Sequence, residues 1–176
     1  AGALTQHGAS TTDGNVDDNG HLTLNGHAVL STGTLVNHHQ THAGGTGTAL
    51  HEETVTTPRA SIEVSGALLL DLATSIANGG GTITVDSSGA LTLNGASITG
   101  GTVTDNGTLN LNGNIVLRPC QVSDSLQIND STTSNTLPQH PITHNTTDTR
   151  TAGSQPLNTT NATTHRLDTP TPFNPP

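Results

Sequence analysis

The feature that most constrains this chain is an internal repeat in its middle. Residues 80–117 read GGTITVDSSGALTLNGASIT and then GGTVTDNGTLNLNGNIVL, so GGT, a β-branched alternation, Gly, Leu-x-Leu and Asn-Gly recur in one order. A unit this short cannot bury an apolar face alone, and stacking copies on one another is the physical solution. Leu-x-Leu puts both leucines on one side of a strand and the residue between them on the other. Asn-Gly then takes the positive φ values that let the chain turn sharply. The inward residues of one copy are expected to be Leu91, Leu93 and Ile98, and those of the next Leu109, Leu111, Ile115 and Leu117.

Further copies lie upstream. In GHLTLNGHAVL, the residues Gly20, Leu22, Leu24, Asn25 and Gly26 match Gly89, Leu91, Leu93, Asn94 and Gly95 one for one. GALLLDLATSI from Gly66 aligns with GALTLNGASI from Gly89, with Asp71 in place of Asn, and Gly47 to Leu50 reads as a worn copy. The markers Gly20, Gly47, Gly66, Gly89 and Gly107 are spaced 27, 19, 23 and 18 residues apart, so a turn of about 22 is expected. The fold expected is all-β, an irregular parallel β-helix (β-solenoid) of about four to five short coils over residues 20–117. Residues 1–19 are expected as an irregular lead-in and residues 38–58 as an irregular histidine-rich loop. Residues 118–176 hold eight of the nine prolines and one glycine, and a polar tail of that kind is expected to be disordered. Asn25, Asn94 and Asn112 occupy equivalent turns by this alignment, where they either stack into an amide ladder or each favour their own left-handed turn.

Composition narrows the function. Hydrophobic residues make up 29% and aromatics 1%, too little for a conventional core over the whole length. Four arginines, no lysine and 13 acids give a formal charge of −9, which disfavours nucleic acid and anionic membrane surfaces as partners. No apolar run approaches the roughly 20 residues of a membrane helix. The lone Cys120 excludes an intrachain disulfide framework and a thiolate metal cluster. With neither an initial Met nor a basic-then-apolar leader, the chain is expected to be a piece of something longer.

Two stretches offer metal chemistry. Asp13, Asn15 and Asp17 put oxygens at alternate positions, as a calcium loop does, but Asp18 stands where the bend needs Gly and Leu24 where a bidentate Glu would close the site. A shorter oxygen cage for calcium competes there with an acidic turn leading into a strand. His38, His39 and His42, with Glu52 or Glu53, are the candidate set for zinc or nickel, against solvated loop histidines. Asp86 and Asp105 lie at nearly matching places in successive copies, the one arrangement here that hints at acid/base hydrolysis of a sugar. The repeats lack aromatic platforms, and Arg59 is their only cation, so a non-catalytic chain is expected. Asn129, Asn145, Asn158 and Asn161 begin glycosylation triplets, which a segment rich in Asn, Ser and Thr also produces by chance.

GGTITV, GALTLNG and GTLNLNG resemble the Gly/Thr/Asn-rich tandem repeats of large bacterial surface adhesins and autotransporter passenger domains, over roughly Gly20 to Leu117. The resemblance implies a parallel β-helix, export to the bacterial surface or beyond it, and a role as stalk or adhesive shaft. Host-surface or matrix glycans or proteins, and neighbouring repeats of a longer parent chain, are the partners it implies. A calcium- or metal-binding extracellular module and a carbohydrate-active β-helix enzyme fragment are the alternatives.

Overall fold

A computed structural model describes residues 2–117 together with 121–124, 127–130, 143–144 and 148–150. Every regular element among them is a strand, and every pairing is parallel. Residues 2–117 wind through six turns of three strands each. The first turn holds β1 (Ala3–His7), β2 (Ser10–Thr12) and β3 (Asn15–Asp18), the second β4 (His21–Asn25), β5 (Val29–Ser31) and β6 (Thr34–Asn37). The third holds β7 (Gln40–Ala43), β8 (Thr48–His51) and β9 (Thr54–Thr56), the fourth β10 (Ser61–Val64), β11 (Ala67–Asp71) and β12 (Ser75–Ala77). The fifth holds β13 (Thr82–Val85), β14 (Ala90–Asn94) and β15 (Ser97–Thr99), the sixth β16 (Thr102–Asp105), β17 (Thr108–Asn112) and β18 (Val116–Leu117).

Each strand pairs with its counterpart one turn away, so three sheets run the length of the coil. The first contains β1, β4, β7, β10, β13 and β16, the second β2, β5, β8, β11, β14 and β17, and the third β3, β6, β9, β12, β15 and β18. Leu22 pairs with Thr41, Thr41 with Ile62, Ile62 with Ile83 and Ile83 with Val103, so these turns take 19 to 21 residues. Alternate residues point inward. Leu50, Leu70, Leu93 and Leu111 form one continuous inner column in the second sheet, each at most 2% exposed. Such columns are the core. A short turn carries few apolar residues, and they are desolvated only because the turns above and below cover them.

Glycine recurs before the second sheet for a steric reason. A Cβ on Gly89 would strike the Val64 carbonyl oxygen, and one on Gly107 would strike those of Asp86 and Gly89. The opposite end of each second-sheet strand carries a left-handed residue. Asp13, Thr32, Glu52, Leu72, Gly95 and Gly113 occupy that bend with φ between 50 and 72°.

Several expectations need correction. Residues 20–117 wind through five turns, within the four to five expected, but residues 2–19, expected as an irregular lead-in, form a further whole turn, and residues 38–58, expected as an irregular loop, contribute all three strands of the third. The third turn lacks Leu-x-Leu since Thr41, Ala43 and Thr48 take inward positions beside Leu50 and Val55, all buried. GHLTLNG does not occupy the place of GALTLNG: Leu22 and Leu24 lie in the first sheet, Leu91 and Leu93 in the second. Asn25 consequently faces His7, while Asn94 pairs in register with Asn112, so no ladder joins all three. Beyond the sixth turn, β19 (Gln121–Asp124) and β20 (Gln127–Asp130) extend the first two sheets, as do β21 (Thr143–His144) and β22 (Asp148–Arg150). The rest of the expected disordered tail, with Cys120, Asn145, Asn158 and Asn161, lies outside the described residues.

Candidate functional site

The coil offers its outer faces and its corners. On the third sheet, Thr34, Thr54, Ser75 and Ser97 stand in one outward column, and Val36, Thr56, Ala77 and Thr99 in the next. The first sheet presents Thr23, His42, Glu63, Thr84 and Thr104 in one column. On the second sheet Ser31, His51, Asp71, Asn94 and Asn112 share a register position at the strand ends.

The calcium candidates do not meet as a set. Asp13 sits at the left-handed bend after β2, where its Oδ1 accepts from the Thr32 hydroxyl at 2.6 Å. Asn15 and Asp17 both point outward from β3, since Val16 and Asp18 between and after them turn in. Asn15 Oδ1 accepts from the Thr34 hydroxyl at 2.8 Å, and Asp17 Oδ1 accepts from Asn19 Nδ2 at 3.0 Å. The three oxygens are thus engaged with different neighbours, two of the bonds tying a side chain to the next turn and the third closing a local bend.

The candidate histidines also diverge. His38 Nε2 lies 3.5 Å from Asp17 Oδ1. His39 instead meets the ring of His21 edge-on, centroids 4.6 Å apart. His42 projects from the outer face of β7, where its Nε2 lies 2.7 Å from Ser65 Oγ. Glu52 stands exposed at a left-handed bend, and Glu53 is buried in a corner. Among the described residues no three His, Cys, Asp or Glu side chains converge on one point. The contacts that do form run between turns: His38 with Asp17, His39 with His21, and His51 Nδ1 with Asp71 Oδ1.

Polar side chains buried at the corners were not anticipated. Asp18 and Asp105 each begin the tripeptide Asp-Asn-Gly, and each Oδ1 accepts from the glycine N–H two residues on at 3.0 Å. That repeated tripeptide was the available signal. Asn37 makes the same bond to His39 N–H and donates from Nδ2 to the Ser61 carbonyl, while Thr57 donates to Asn78 Oδ1 at 2.7 Å. Glu53 Oε2 accepts from Gly33 N–H at 2.9 Å. Burial pushes its carboxyl up from the ordinary 4.5, and the Gly33 bond draws it partly back.

The paired-carboxylate arrangement also dissolves. Asp105 is buried and stands in register with Val85, whereas Asp86 lies just past the end of β13, so the two carboxylates do not share an outer face. Among the described residues no helix is long and apolar enough to cross a membrane. No family model, curated protein or solved structure matches the chain.

Proposed function

We propose that this chain is a non-catalytic structural and adhesive segment of a bacterial cell-surface or secreted protein. The observation that supports it is the unbroken continuation of three parallel sheets through six turns around aliphatic columns. Such a coil is extended by adding turns, so it suits a shaft joined to neighbouring repeats. Its outer faces are rows of Thr, Ser and Asn, which hydrogen-bond to glycan hydroxyls or to exposed peptide groups. The resemblance of GGTITV, GALTLNG and GTLNLNG to adhesin and autotransporter repeats supports the same reading and a location outside the cell.

The test is made in cells expressing the parent protein with and without residues 2–117. Protease shaving and antibody labelling of intact cells report display, and attachment to glycan- or matrix-coated glass reports adhesion. The reading expects surface labelling and weaker attachment after deletion. A segment found only inside the cell, or attachment indifferent to its removal, would sink it.

A further inference from the structure

All seven histidines between residues 2 and 117 fall at or before His51, within the first three turns. Four of them lie where the third sheet passes into the first, and two of these, His21 and His39, meet. His38 and His39 sit exposed in the corner between β6 and β7, His21 is exposed at the start of β4, and His42 is half-buried on the outer face of β7. The rings of His21 and His39 are in edge contact, centroids 4.6 Å apart.

The groups around them are mostly polar, and exposed Arg59 stands in the corner one turn on. Asp17, from β3, lies 3.5 Å from His38 and is the carboxylate that balances it. Asp18 is buried, with Oδ1 held by Gly20 N–H. Gln40 of β7 stands in register with His21 and Thr23 of β4 with His42, and Glu63 of β10 accepts from Gln40 Nε2 at 2.8 Å. Ser65 closes the far side, against His42. Among the described residues no carboxylate lies within ion-pair distance of His21, His39 or His42.

Imidazole is the side chain whose charge changes between about pH 5 and 8. Protonating two rings in contact creates a repulsion that an anion beside both relieves. Above neutrality the formal charge of −9 repels any polyanion, and the chain's ten histidines, once protonated, cancel it. The hydroxyl and amide side chains beside the rings, Thr23, Gln40 and Ser65, suit a sugar. We propose that this corner is an acid-activated anion site that takes a sulfated polysaccharide at mildly acidic pH and releases it at neutral pH. The proposal deepens the adhesive reading by naming a face and a ligand class. Absence from the cell surface would sink that reading and leave the binding assay below unaffected.

The experiment measures binding of the whole immobilised chain to sulfated dextran, with unsulfated dextran as control and a chelator present throughout. Binding at about pH 5.5 is expected to exceed that at about pH 7.5 by at least tenfold. Joint replacement His21→Gln and His39→Gln is expected to abolish the gain, while His51→Gln on the second sheet leaves it intact. Joint replacement by Lys is expected to make binding persist at neutral pH, a readout that loss of fold could not produce. No binding at acid pH, equal binding of unsulfated dextran, or acid binding that survives the double glutamine variant overturns the proposal. Equal binding to phosphatidylserine vesicles would overturn the polysaccharide assignment.

Discussion

Replacing Leu93 by Ala removes an aliphatic side chain that is fully buried, with Leu70 below it and Leu111 above it in register. Both neighbours hang from strands held about 4.7–4.9 Å apart by ladder bonds, so they cannot slide together to fill the gap. The cost is therefore the lost transfer energy plus most of the cavity, about 3–4 kcal/mol, within the range for buried Leu→Ala changes. Leu4 lies on the same kind of strand in the first turn but is 55% exposed, and Leu4→Ala there is expected to cost no more than about 1 kcal/mol. Guanidinium denaturation followed by circular dichroism measures both, with an unchanged slope required for the comparison. Equal costs at the two positions, or less than about 1 kcal/mol at Leu93, would refute stabilisation by coverage from both sides.

Three further changes probe the corners. Leu72 is 64% exposed and sits in the left-handed region at φ 50°, so Leu72→Gly should raise stability by up to about 1 kcal/mol in the same denaturation assay. Asp18 is in register with Asn37, whose Nδ2 donates to Ser61, and Ser61 in turn pairs with Gln40; Asp18→Asn should gain the matching bond to the Gln40 carbonyl and about 0.5–1.5 kcal/mol, read as a higher midpoint. Glu53 keeps its proton to higher pH in the folded chain than in the unfolded one, so its contribution to stability is lost as pH rises from 4.5 through the raised folded value. Glu53→Gln should remove that slope from melting curves taken across the window, whereas Glu53→Ala should cost about 1–3 kcal/mol at every pH by orphaning Gly33 N–H.

The parallel coil was legible because Leu-x-Leu followed by Asn-Gly encodes a strand with one buried side and a bend behind it. That string does not encode which sheet it joins. Leu22-Thr23-Leu24 and Leu91-Thr92-Leu93 are alike because each face of the coil makes the same demand, so phase depends on the lengths of the corners between. The third turn was hidden for a related reason: Thr41, Thr48 and Thr57 are buried where leucine was the cue, and Thr48 and Thr57 donate to adjacent turns, to the Gly26 carbonyl and to Asn78 Oδ1.

The candidate residues are spread apart by geometry of the same origin. His38, His39 and His42 are neighbours in sequence, but a corner followed by a strand aims them at Asp17, His21 and Ser65. In a coil the residues that meet are one turn apart. His51 and Asp71, both at the end of a second-sheet strand, show the spacing to look for.

Stacking of successive turns in register is tested most directly by methyl NOE spectroscopy on protein labelled at Leu, Ile and Val. Cross-peaks are predicted between Leu70 and Leu93 and between Leu93 and Leu111, and likewise between Ile62 and Ile83. A well-dispersed methyl spectrum in which those three pairs give no cross-peak would contradict the coil.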